Sequence, residues 1–270
     1  MNQKKLRVFG LTLAAMSCAL FPVPRLGSAQ AEGMLSGVDL SSPAFTTAEM
    51  SRAEVEALIA KRAAGQKLDL SDRSLNRLDL SNLDLSGANL RGSRLMGANL
   101  SGANLSAAQL DQVWALKADF TGANLSGASL FGSQMQGARF DRANLSAARL
   151  TGDFTGASMV DANFSGADAS ADMKNQSMGL MHAILRSADL SRSNFTGANL
   201  SRADLEFAKL GDANFAGANL MSADAAGADL RGANLDGANV QGMDIASARI
   251  GASEAGMLGS ALNLDRAVKE

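Results

Sequence analysis

Tyrosine is absent from this sequence, and cysteine, histidine and tryptophan occur once each. The single cysteine, Cys18, cannot form a disulfide within the chain or fill a cysteine-rich zinc site. The single histidine, His182, leaves no histidine cluster for a metal and no activated serine beside an oriented base. Aromatic residues make up 4% of the chain against 46% hydrophobic residues, so the core must be aliphatic and uniform. Prolines number 3 and glycines 27, so the turns rely on glycine and small polar residues. The 25 basic and 27 acidic residues nearly cancel, giving a formal charge of −2 in 270 residues. That balance lacks the positive field needed for unaided nucleic-acid binding.

Residues 1–31 differ from the rest. Lys4, Lys5 and Arg7 form a basic start, an apolar run follows from Val8 to Leu20, and Ala29-Gln30-Ala31 offers small residues for cleavage. This is the layout of a secretory signal peptide, too short for a stable membrane span. Adjacent arginines are missing, so the general secretory route fits better than the twin-arginine one. Lipidation at Cys18 is a lesser alternative, because Ala15-Met16-Ser17 is a poor lead-in and apolar sequence continues beyond it. Cleavage removes four positive charges and no acids, moving the formal charge from −2 to −6. The mature protein is expected to be periplasmic, free of cysteine and without a membrane anchor. A cytoplasmic, uncleaved chain is the other alternative.

From Leu70 onward a large apolar residue recurs every fifth position. Five residues advance a helix by roughly 140° from its starting face, which would scatter the leucines around it. A flat strand alternates sides, so an odd period would flip each leucine. A bend in every repeat solves the problem. Within Ala-Asn-Leu the outer two residues face in and the asparagine faces out. Pairs such as Ser101-Gly102 and Thr121-Gly122 are turn formers. The result is a coil whose stacked turns share an interior, spaced by about 4.8 Å. Leu90, Leu100, Leu105, Leu125, Leu145, Leu190, Leu200, Leu220, Leu230 and Leu235 are expected in that core.

Ala88-Asn89-Leu90, Ala123-Asn124-Leu125, Ala188-Asp189-Leu190, Ala198-Asn199-Leu200 and Ala233-Asn234-Leu235 closely resemble the repeats of the pentapeptide-repeat proteins. The resemblance implies an all-β solenoid: a right-handed quadrilateral β-helix, four repeats per coil, with an N-terminal capping α-helix expected beside it. Outward residues 20 apart then become stacked neighbours. That register places Arg149, Asp168, Asp189, Lys209, Asp229 and Arg249 on one face. It places Asn104, Asn124, Asn144 and Asn163 on another, interrupted by Ile184 and continued by Asp204, Asp224 and Asp244. The frame slips twice: one residue is missing after Leu150, and one extra residue lies between Ser170 and Leu180. Both are read as a tight corner and a bulge in one continuous coil.

The expected organisation is a signal peptide at 1–31, a flexible linker at 32–45, a capping helix at 46–66, repeats at 67–250 and a C-terminal cap or tail at 251–270. Thr46 and Glu49 resemble a capping box, and Val55, Leu58, Ile59 and Ala63 form an apolar stripe. Ala261, Leu262 and Leu264 are candidates to close the last coil, where end-to-end dimerisation is the alternative to a monomer.

No catalytic residue and no cofactor site is expected. His182 reads as a solvated surface residue, and Trp114 as an outward, partly covered one. Asp204, Asp224 and Asp244 are the only candidate for a cation, and a weak one, since solvated carboxylates explain them equally well. The composition fits a non-enzymatic structural or interaction scaffold of the bacterial cell envelope with an unknown protein partner. The resemblance implies an alternative, a DNA-mimicking protein that binds a type II topoisomerase. Interspersed Arg94, Arg139, Arg142, Arg192 and Arg231 depart from such a mimic. Because it faces water, Asn104→Asp is expected to be nearly neutral.

Overall fold

The computed structural model describes residues 39, 41–63, 65–171 and 182–270. The expected signal segment, Cys18 and most of the expected linker lie outside the described residues. The unit Asp39–Glu270 is a stack of four-sided coils.

One repeat shows why the sequence coils. In Ala103-Asn104-Leu105-Ser106-Ala107, all five backbone N–H groups find acceptors. Ala103 donates to the Leu100 carbonyl within the turn (3.1 Å), and Asn104 to Leu83 in the preceding coil (2.9 Å). Leu105 and Ala107 donate to Asn124 and Ser126 in the following coil (2.6 and 2.8 Å). Ser106 donates to the Asn104 side-chain oxygen (3.2 Å). The outward Asn or Asp therefore does more than face water, because it satisfies the one N–H that the neighbouring coils cannot reach. The second turn residue takes a positive φ, as in Gly102 (+64°) and Ala107 (+55°), which closes a type II turn. Each side pairs through a single residue, too short for a run of strand. Among the described residues the only extended pair is β1 (Arg249–Ile250) with β2 (Val268–Lys269).

The interior is the expected aliphatic column, and all ten core leucines named above are buried. Phenylalanines interrupt it in layers. Phe120 stacks on Phe140 with centroids 4.7 Å apart, and Phe195 lies between Phe164 (4.6 Å) and Phe215 (5.0 Å), nearly parallel to both.

The spacing between paired residues is 20 from Asp69↔Asn89 to Ser129↔Arg149, 19 from Gln134↔Asp153 to Arg149↔Asp168, and 31 from Asp153↔Ile184 to Asp168↔Asn199. It returns to 20 at Ile184↔Asp204. The missing residue is a tight corner, where the Gly152 N–H donates to the Leu150 carbonyl two residues back (3.0 Å). The expected one-residue bulge is an excursion of eleven residues beyond the usual coil. The Ala171 N–H still makes its coil bond to the Ser201 carbonyl (3.4 Å), and the coil resumes at Ala183, whose N–H donates to the Ala169 carbonyl (3.2 Å). Eleven residues and one residue shift a five-residue pattern by the same phase, so the pattern alone cannot tell them apart. A methyl group at Gly152 would lie 2.8 Å from the Ser133 carbonyl oxygen and 3.2 Å from that of Leu130. Gly152→Ala is expected to cost about 1–3 kcal/mol by overpacking. An unchanged thermal midpoint would show that the corner has room to spare.

The N-terminal helix is shorter than expected and split. Helix α1 spans Pro43–Thr46 and α2 spans Arg52–Lys61. The capping box is Ser51 with Glu54, not Thr46 with Glu49. Glu49 is taken elsewhere: its N–H donates to the Ser74 carbonyl (2.9 Å) and its carboxylate pairs with Arg73 (3.1 Å). Thr46 donates its hydroxyl to the Ser42 carbonyl. These bonds hold the chain between the helices against the first coil, so one continuous helix cannot form. Of the expected stripe Val55 is buried, whereas Leu58 is 39% exposed. The helix reaches the coil through arginines instead. Arg52 donates to the carbonyls of Asp79 (3.2 Å) and Ser81 (3.1 Å), and Arg62 to that of Ser86 (3.1 Å). These are end carbonyls of the first coil, where no earlier coil supplies an N–H.

At the other end the chain keeps the coil's outline without its motif. Helix α3 (Ala252–Met257) follows β1, and β2 pairs parallel with β1. Leu258, not Leu262, is the buried closing residue. Leu262 occupies an outward position paired with Asp244 and is 54% exposed, while Ala261 and Leu264 are partly buried.

Candidate interaction surface

The pairing register assigns every outward residue to one of four faces. The first runs Asp69, Asn89, Gln109, Ser129, Arg149, Asp168, Asn199, Asn219, Asn239. The second runs from Ser74 through Arg94, Trp114, Gln134, Asp153, Ile184, Asp204, Asp224 and Asp244 to Leu262. The third carries Asp79, Asn99, Asp119, Arg139, Ser158, Asp189, Lys209, Asp229 and Arg249. The fourth carries Asp84 and then Asn104, Asn124, Asn144, Asn163, Asn194, Asn214 and Asn234.

Two expected ladders are corrected by the excursion. Asn163 stacks on Asn194, not Ile184, so the asparagines and the aspartates occupy different faces. Likewise Arg149 and Asp168 lie on the first face, while Asp189, Lys209, Asp229 and Arg249 lie on the third. Lys209 pairs with Asp189 (3.2 Å) and Arg249 with Asp229 (3.6 Å). Such exposed pairs contribute about 0–1 kcal/mol each.

The fourth face is an unbroken amide ladder. Each asparagine Nδ2 donates to the Oδ1 of the residue before it, from Asn104 to Asp84 (3.0 Å) through Asn234 to Asn214 (3.1 Å). Asn104 therefore faces outward without being free. An aspartate there would lose the donor and set its carboxylate against that of Asp84. Asn104→Asp is accordingly expected to cost about 1 kcal/mol rather than nothing.

The candidate cation residues stack but do not converge. The Asp204 carboxylate is bound by Arg186 (2.9 Å) and accepts the Glu206 N–H (3.0 Å). Asp224 accepts the Ala226 N–H (3.1 Å), and Asp244 accepts from Ala246 (2.9 Å) and the Asn263 amide (2.7 Å). Arg186 already supplies positive charge at one end, and among the described residues no acidic or histidine cluster is arranged to hold a metal. His182 is half-buried beside the closing residue Ala183.

Glu206 was not anticipated. It is buried at the corner between the second and third faces and is bound by Arg186. Burial, followed by the Asp224 carboxylate, raises its pKa above the usual glutamate value against the pull of Arg186. The folded state therefore holds the proton more tightly than the unfolded chain. The associated stability is full below the ordinary glutamate pKa and is lost as pH rises through the raised one. Glu206→Gln is expected to raise the melting temperature at pH 7 and to leave it unchanged near about pH 4. A lower melting temperature at pH 7 would show that the Arg186 pair dominates.

Two exposed apolar residues of the coils border the second face. Phe207, 59% exposed, lies at its corner with the third face, and Met221, 38% exposed, at its corner with the first. Phe207 holds φ at +58°, a conformation unfavourable for an aromatic residue. Farther toward the N-terminus Trp114 is half-buried under Phe45 of α1, with ring centroids 5.6 Å apart. By contrast, the corner joining the fourth and first faces carries Ser106-Ala107, Ser126-Gly127, Ser146-Ala147 and Ser165-Gly166, small and uncharged.

Pentapeptide-repeat proteins of known structure are similar to this chain. HetL, a pentapeptide repeat protein involved in heterocyst differentiation regulation from the cyanobacterium Nostoc sp. strain PCC 7120, is 29% identical, with 74% of this chain and 97% of that one covered and a TM-score of 0.48. QnrB1, a plasmid-mediated fluoroquinolone resistance protein, is 18% identical, with coverages of 72% and 95% and a TM-score of 0.38. No functionally curated protein matches the chain. The family model for pentapeptide repeats matches residues 79–113, 118–152, 180–212, 198–237 and 213–249, and the chain belongs to the pentapeptide-repeat family.

Proposed function

We propose that this protein is a non-enzymatic, exported scaffold that binds a protein partner along its second face. One observation carries the reading. The regular faces spend their polar groups on the solenoid itself, whereas the second face gathers Trp114, the tight corner before Asp153, the aspartate row and the bordering Phe207 and Met221. A large exposed aromatic in an unfavourable backbone conformation is a stability cost that a binding role explains. Helix α2 serves as the N-terminal cap, since its arginines take up end carbonyls of the first coil. The right hand of the coil is that of the family. The described residues contain no helix long and apolar enough to cross a membrane. Monomer and end-to-end dimer differ twofold in mass, which sedimentation separates directly.

The topoisomerase alternative is less well supported. DNA presents about three negative charges per 4.8 Å of axis. After loss of residues 1–31 the chain carries a formal charge of −6 over nine rows of coil, less than one per row. The amide ladder leaves the fourth face uncharged beyond Asp84.

Fractionation tests the location: the expected product is periplasmic and begins at Glu32, and a full-length cytoplasmic chain would exclude export. Affinity capture tests the face. A partner held by the wild type is expected to be lost from Phe207→Ser/Met221→Ser and retained by Ser126→Lys/Ser146→Lys. The opposite result would move the binding surface to the corner of the fourth and first faces.

A further inference from the structure

The second face near the N-terminus carries something that no repeat requires. Trp114 stands at an outward position, between Arg94 and Gln134. At the adjoining corner Met96 and Leu116 stack one coil apart, the Gly97 N–H donating to the Leu116 carbonyl (2.9 Å). All three apolar side chains are half-buried. The chain's own Phe45 sits on the indole, its ring tilted by 35°.

Apart from Met50, which packs against the core, the segment that delivers Phe45 is held by few bonds. It is tied to the first coil by Glu49 N–H to the Ser74 carbonyl (2.9 Å), Ser74 hydroxyl to the Thr47 carbonyl (2.5 Å) and Arg73 to Glu49 (3.1 Å). Two coils farther on, α1 meets the coils through the Phe45 ring on Trp114. A four-residue helix cannot sustain itself. The fit is also incomplete. Arg94 lies between the Ser74 tie and Trp114, and its Nε is buried with no hydrogen-bond acceptor. An unsatisfied buried donor of this kind weakens the closed arrangement and rewards an occupant that supplies an acceptor.

We propose that Trp114, Met96 and Leu116 form a docking site for a short segment bearing an aromatic side chain, and that residues 41–50 are a releasable strap occupying it. The strap opens as a unit while the coils stay intact. Its own Phe45 shows the ligand chemistry, an aromatic ring laid on the indole face. The device works in the same way whether or not the chain is exported.

The chain's single tryptophan and lack of tyrosine make Trp114 a clean reporter. Hydrogen exchange on the full-length protein is expected to show the amides of Thr47 and Glu49 exchanging about a hundredfold faster than those of Leu100 and Leu105. Phe45→Ala is expected to move Trp114 emission to longer wavelength with the far-ultraviolet spectrum unchanged. A synthetic peptide of residues 41–50, added to that variant, is expected to reverse the shift saturably, and the same peptide with Phe45→Ala is not. Equal protection of strap and core amides would overturn separate opening. A Phe45→Ala protein that ignores the wild-type peptide would overturn the docking site.

Discussion

Leu105→Asp is expected to abolish cooperative folding of the coils. Leu105 is fully buried, and its backbone ties adjacent coils through the Asn124 carbonyl. The buried side chains around it are leucines and alanines, with no cation among them to pair. An ionised carboxylate there must be desolvated without compensation, or be protonated at a large cost in pKa. A loss exceeding about 4 kcal/mol is expected, a large part of the stability of a domain of this kind. Because each coil rests only on its neighbours, the damage interrupts the stack on both sides. Urea unfolding followed by circular dichroism measures it. The neighbouring Asn104→Asp provides the contrast, with an expected loss of about 1 kcal/mol from its broken amide link. Equal losses at the two positions would overturn the assignment of one to the interior and the other to the surface.

The second large effect is expected at Phe195. Its ring is stacked between Phe164 and Phe215 at 4.6 and 5.0 Å, and it is almost completely buried. Phe195→Ala removes the ring and leaves a cavity, at an expected cost of about 3–5 kcal/mol. The position matters as much as the volume. Phe164 and Phe195 lie on opposite sides of the eleven-residue excursion, so their contact joins the coils before it to the coils after it. Losing the contact is expected to lower the slope of urea unfolding by dividing one transition into two. Phe131→Ala supplies the control: that ring is partly exposed at a corner, under the Arg149 guanidinium at 4.6 Å, and its loss is expected to cost about 1 kcal/mol. A single sharp transition with a loss below about 1 kcal/mol in Phe195→Ala would refute the bridging role.

The sequence was informative wherever the physics is local. A five-residue period fits neither helix nor strand, so it specifies a bend per repeat and an inward leucine. Leu105, Leu125 and Leu200 required no tertiary information to place. The role of the outward asparagine was only half legible. Facing water follows from alternation, but its bond to the N–H two residues on, and its place in a ladder, depend on where the next coil lies. Thr46 and Glu49 had the letters of a capping box, and Ser51 with Glu54 had them equally. The choice was made by Ser74 and Arg73, which take Glu49 for the first coil.

The candidate surface shows the same division. By itself the sequence determined the solenoid, its interior and the phase of every repeat, because turn, alternation and burial act within a few residues. Only the tertiary structure decided which outward residues are neighbours after Leu150. A repeat repays stacking once per five residues, so any excursion that restores the phase is consistent with the pattern, whatever its length. The eleven residues between Ala171 and Ala183 therefore separated the aspartates from the asparagines and placed Asp204, Asp224 and Asp244 on the face of Trp114.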